Sequence, residues 1–175
     1  DGVLQLGDTL TEGEQLQFTG LPFFAPELFR TVEVADPLKT KQLRAGLTQL
    51  GEEGAIQVFR PVLGTVLLLG AVGQLQFEVV AHRLEHEYGV RARIQPARYA
   101  LARWITCEPD DGGDRELQRF IDANAHRIAH DAVDAPAILV EYAPELRAVE
   151  SNWPKIKFHA LREHAGLVFQ KRMGD

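Results

Sequence analysis

Cysteine is almost missing from the 175 residues: Cys107 stands alone, so no internal disulfide can form and a reducing compartment suits the chain. Methionine occurs once, as Met173, so the chain opens on Asp1-Gly2-Val3 without an initiator and reads as a fragment of something longer. Long apolar runs are lacking too. The longest, Val62–Val72, is interrupted by Gly64 and Gly70 and falls short of the ~18 residues of a membrane span. No signal or transit peptide opens the chain. These absences lead to the expectation of a cytoplasmic protein without a membrane partner.

Phosphate-cradling glycine loops are also missing. There is no Walker-A loop, no Gly-x-Gly-x-x-Gly and no Gly-x-Ser-x-Gly, so nucleotide hydrolysis cannot be placed on these residues. Positive charge is in short supply, with 19 Lys and Arg against 25 Asp and Glu, a net of −6 that argues against bulk nucleic-acid affinity. The deficit is uneven. Residues 1–22 carry four acids and no base, residues 23–97 carry eight of each, and residues 98–175 carry thirteen acids and eleven bases. Local basic patches are therefore compatible with an acidic whole.

What is present is enough apolar material for one good core or two small ones, at 45% hydrophobic residues. Residues 1–24 alternate in short β segments around Gly7-Asp8 and read as the last strands of a β-barrel whose remainder lies elsewhere. Leu28–Val34 then alternates as a strand, and Asp36-Pro37 supplies a helix cap followed by proline at the first helical position. Leu43, Leu47 and Leu50 form that helix's apolar stripe, and Ile56–Phe59 and Thr65–Ala71 follow as strands. A second helix carries Phe77, Val80, Ala81, Leu84 and Tyr88 within roughly 100° of one another, with Gly89 at the left-handed cap and Val90–Ile94 as the next strand. Residues 25–97 thus read β-α-β-β-α-β, a ferredoxin-like (split βαβ) plait.

The same rhythm returns in residues 98–175, expected as a second α/β plait-like subdomain in an α+β protein. Its strand is Arg98–Thr106, and its first helix, from Asp114, turns Leu117, Phe120 and Ile121 inward. A hairpin around Asp134 follows, then a helix opened by Pro144 and stopped by Pro154, and a final strand at Lys155–Leu161. Trp104 and Trp153 are expected in packing.

Lys39, Lys41 and Arg44 stand out, because cations in the first turns of a helix oppose its macrodipole and stability alone would place acids there. Lys41 and Arg44 lie about 60° apart on the helical wheel, facing away from the leucine stripe. Such a pair fits contact with phosphates or with a partner's acids; the plainer reading is a solvated face. Lys155, Lys157 and Arg162, with Lys171 and Arg172, form a second basic cluster. His82-Arg83-Leu84-Glu85-His86 has the His-x-x-Glu-His spacing of one class of zinc peptidases, though the polar side of an amphipathic helix gives the same pattern without metal. No catalytic, cofactor-binding or metal site is assigned on the chain.

Gly7-Asp8-Thr9-Leu10, Phe24-Ala25-Pro26-Glu27-Leu28-Phe29-Arg30 and the run from Asp36-Pro37-Leu38-Lys39 through Gln57-Val58-Phe59 resemble the bacterial class II peptide chain release factors, the release factor three family of translational GTPases. Gly73-Gln74-Leu75-Gln76-Phe77-Glu78 is similar to the Gly-Glu-Leu-His-Leu-Glu stretch in the third domain of elongation factor G, with Gln74 and Gln76 in place of Glu and His. The resemblance implies barrel strands followed by the C-terminal α/β region, without the GTPase domain. It further implies a monomeric ribosome-binding and coupling region, facing the small subunit. GTP and Mg would be bound only in the full-length protein, class I release factors would be met indirectly, and the protein's own GTPase and barrel domains would adjoin. Lys39, Lys41, Arg44, Lys155, Lys157 and Arg162 are then the residues expected to contact the ribosome. Competing readings are the equivalent region of an elongation or ribosome-protection factor, a metal hydrolase using His82 and His86, and a ferredoxin-like ligand sensor.

Overall fold

The computed structural model describes residues 23–109 and 112–162. The strands expected within residues 1–22 lie outside the described residues, as do Lys171, Arg172 and the rest of the tail.

A two-residue strand β1 (Phe23–Phe24) precedes β2 (Leu28–Val34). Asp36 caps a single 3-10 turn, Pro37–Lys39, by accepting from the Leu38 N–H at 3.0 Å, and α1 (Thr40–Glu52) continues from it. The proline fixes the backbone of that turn, so the α-helix begins four residues past the cap rather than directly after it. β3 (Gln57–Pro61), β4 (Leu67–Ala71), α2 (Leu75–Tyr88) and β5 (Ala92–Pro96) complete the first unit. Gly89 ends α2 with φ +67°, a left-handed cap: its own N–H returns to the Glu85 carbonyl and that of Val90 to the Leu84 carbonyl.

The second unit repeats the order: β6 (Leu101–Cys107), α3 (Gly113–Ala123), β7 (Ile128–His130), β8 (Pro136–Val140), α4 (Ala143–Asn152) and β9 (Ile156–His159). β6 starts later than the expected strand because residues 97–100 are spent crossing between the units. A short β10 (Leu161–Arg162) returns to pair with β1.

The two units share a single eight-stranded sheet in the order β5-β2-β4-β3-β7-β8-β6-β9. Each half has the strand order of a split βαβ plait, and they join where β3 pairs antiparallel with β7, Arg60 opposite His130 and Pro61 opposite Ala129. The sheet cannot be flat. β5 and β6 are six strand positions apart, roughly 29 Å at the usual strand spacing. The five steps from Pro96 to Leu101 reach at most about 18 Å even fully extended. The sheet therefore twists and curls until its ends approach, as the right-handed twist of strands favours.

That curl makes three cores. Under α1 and α2 lie Leu43, Leu47, Leu50, Leu69, Val80 and Leu84. Under α3 and α4 lie Ile105, Phe120, Ile138, Leu146 and Val149, with Trp153 packed edge-on against Phe120. Between them, the helix-free faces of both halves meet: Phe29, Phe59 and Leu68 from the first share a cluster with Trp104, Ala137 and Leu139 from the second. Each plait thus packs one face of its sheet under its own helices and sets the other against the second plait's helix-free face. Gly70, in the middle of β4, lies against Pro26, whose ring carbon would be 2.5 Å from an added Cβ, so that face admits only glycine there.

Candidate functional site

The N-terminal end of α1 carries the first group of cations. Leu43, Gly46, Leu47 and Leu50 turn inward, which leaves Lys41 and Arg44 exposed on the outer face, with Lys39 half-buried at the helix start. No acid occupies the first turn of α1, and no side chain caps it. Among the described residues Lys39, Lys41 and Arg44 have no ion-pair partner, so the positive charge faces solvent. The leucine period alone dictates this placement, because residues three and seven positions apart share the buried stripe.

The second group divides. Lys155 and Lys157 are exposed, and Lys157 lies 3.8 Å from the Glu108 carboxylate, a loose surface pair. Arg162, expected beside them, is buried with only 6% exposure. Its Nε donates to Asp131 Oδ2 at 2.7 Å, and its guanidinium stacks over the rings of Phe23 and Trp104. Trp104 Nε1 donates to the same carboxylate oxygen at 3.0 Å, while Asp131 Oδ1 accepts the N–H groups of Val133 and Ala135. Burial lowers the Arg162 pKa and the Asp131 charge opposes that fall. Arg162 thus leaves the contact surface and becomes the pin that holds β1 and β10 against the β7–β8 turn. Its place among basic residues in the sequence concealed this; a buried aspartate thirty-one positions earlier carries no local signal.

His82 and His86 are exposed on the polar side of α2 with ring centroids 4.1 Å apart. Arg83 between them is committed elsewhere, to Glu87 at 2.8 Å and Glu53 at 2.6 Å. Those hydrogen bonds raise the Arg83 pKa and lower those of both glutamates. Among the described residues no group of three or more His, Cys, Asp or Glu is placed to hold a metal ion. A cavity of about 430 Å³ lies where β1, the end of α1 and the β7–β8 turn meet. Several of its polar side chains are engaged: Gln57 Nε2 donates to the Phe24 carbonyl, and Gln76 Oε1 accepts from the Val72 and Gly73 N–H groups. Arg60, at the joint between the two halves, was not singled out by its sequence surroundings.

The fold and its exposed cations define an α+β module of two fused split βαβ units, whose distinctive chemistry among the described residues is surface charge. The family described as class II release factor RF3, C-terminal domain, matches residues 18–150. The peptide chain release factor 3 of Nitrosomonas eutropha is 72% identical over 169 residues, 97% of this chain and 31% of that protein. The peptide chain release factor 3 of Bordetella avium is 68% identical over 169 residues, again 31% of its own length. The chain belongs to the class II release factor RF3 family, as its C-terminal domain. It spans about a third of the length of the curated relatives that it matches. No helix among the described residues is long and apolar enough to cross a membrane.

Proposed function

We propose that this chain is the ribosome-binding and coupling region of a translation-termination GTPase that promotes recycling of class I release factors after peptide release. The observation that carries the reading is 72% identity across 97% of the chain to a protein named peptide chain release factor 3. In this reading GTP and Mg belong to a nucleotide domain outside these 175 residues, a barrel domain adjoins residue 25, and the protein works in the cytoplasm as a monomer on the small-subunit side of the ribosome. The chain supplies contact and orientation. Lys39, Lys41 and Arg44, with Lys155 and Lys157, meet ribosomal phosphates or acidic ribosomal surface.

The decisive experiment is Lys41→Glu with Arg44→Glu in the full-length protein. Acids near a helix N-terminus interact favourably with its dipole by ~0.3–1 kcal/mol each, so thermal stability should hold or rise slightly. Ribosome-stimulated GTP hydrolysis and release of class I factors should fall, most at low salt where exposed charges are least screened. Activity unchanged at every salt concentration would remove this face from the reading.

A further inference from the structure

A cleft of about 300 Å³ opens between α1 and the β7–β8 turn, with Arg44, Thr48, Arg60 and Asp134 on its walls. It spans the joint of the molecule: Arg44 and Thr48 come from α1, Arg60 from β3, and Asp134 from the turn of the second half. Thr48 Oγ1 donates to the Arg44 carbonyl at 2.8 Å, which seats the hydroxyl along the wall. Arg60 Nη2 pairs with the Asp134 carboxylate and also donates to the Asp131 carbonyl at 3.2 Å. Asp134 reaches that position from a left-handed backbone, φ +64°, fixed by its N–H bond to the Asp131 carbonyl and by the Asp131 side chain capping the turn.

Two arginines and one aspartate line this cleft, and Arg44 has no anionic partner among the described residues. The Arg60 and Asp134 side chains are 48% and 77% exposed, so an incoming anion can reach them, and an exposed pair of this kind is held only weakly. Guanidinium forks match phosphate as well as carboxylate. Lys41, one turn before Arg44 on the outer face, extends the charge into a row that suits the repeating charge of a strand. The floor of Leu47, Val58 and Leu67 offers a base edge no hydrogen bonds. We infer that this cleft receives a backbone phosphate of ribosomal RNA, gripped by Arg44 and Arg60, with Asp134 occupying Arg60 until the phosphate displaces it. The inference rests on the ribosome-binding reading above and deepens it.

The test is binding of the full-length protein to purified ribosomes across a salt series. Arg44→Gln with Arg60→Gln should weaken binding roughly tenfold at low salt and reduce the log–log salt slope by about 1–2. Asp134→Asn keeps the turn, since asparagine tolerates positive φ, and should tighten binding severalfold with little change in melting temperature. Arg60→Lys should fall between wild type and the glutamine pair. A photo-reactive amino acid replacing Thr48 should crosslink to ribosomal RNA. An unchanged salt slope in the glutamine pair, weaker binding by Asp134→Asn, or a crosslink only to ribosomal protein or to the chain itself overturns the cleft while wild-type binding keeps the wider reading standing. Wild-type protein that does not bind ribosomes overturns both.

Discussion

Single residues decide whether a charge is surface or structure. Arg162 and Lys157 are both basic and five positions apart, yet one is buried against Asp131 and the other is exposed. Removing one partner of a buried pair leaves an uncompensated charge, so Arg162→Ala or Asp131→Asn should each cost roughly 3–5 kcal/mol. Arg162→Met combined with Asp131→Asn should recover part of that loss, because neither charge then remains; urea midpoints at constant slope would measure it. His159 offers a pH test. Burial, and then the nearby Lys157 charge, push its pKa below 6.5, while its Nε2 lies 2.6 Å from Thr106 Oγ1. A depressed folded-state pKa means that the unfolded chain binds the proton more readily. This contribution to stability is thus complete above 6.5 and declines as pH falls through the folded-state value. His159→Gln should flatten the melting-temperature profile in that acidic range, and an unaltered profile would assign the pH dependence to other groups.

At the scale of elements, most of the fold was legible. Period-2 and period-3.6 patterns placed four helices, and the Gly89 cap was readable because glycine follows the last apolar position of α2. Gly89→Ala should cost about 1–2 kcal/mol by forcing a Cβ into left-handed backbone, while Ala81→Gly should cost about 1 kcal/mol through helix propensity; calorimetric melts compare the two. The joint between the halves was not legible. β3 meets β7 through Arg60, Pro61, Ala129 and His130, none of which carries a hydrophobic alternation, at a separation of about seventy residues. The candidate surface was half legible: the leucine stripe of α1 exposes Lys41 and Arg44 by simple periodicity, whereas the pairing of Arg60 with Asp134 depends on tertiary contact. Acids after Asp36 would have suited a helix N-terminus better, so these cations are where local stability and the proposed contact pull apart.

For the whole molecule, the shared middle core predicts one unfolding event. Phe29, Phe59 and Leu68 are 1%, 0% and 4% exposed in a cluster that they share with Trp104, Ala137 and Leu139 of the second half. Cutting between the units would uncover all three. Fully exposing side chains of this size costs roughly 1.5–3 kcal/mol each, about 5–9 kcal/mol together. That approaches the entire stability of an ordinary domain, typically about 5–15 kcal/mol. It would also bare the β3 edge, where unpaired strand groups invite association. The intact chain should therefore melt in one transition by both far-ultraviolet circular dichroism and tryptophan fluorescence, since Trp104 reports the middle core and Trp153 the α3–α4 core. Residues 25–97 expressed alone should be strongly destabilised, should bind a hydrophobic dye, and should self-associate at concentrations where the whole chain does not. If that half were instead a monomer melting at the temperature of the intact chain, the curled sheet would be two independent plaits touching along one edge.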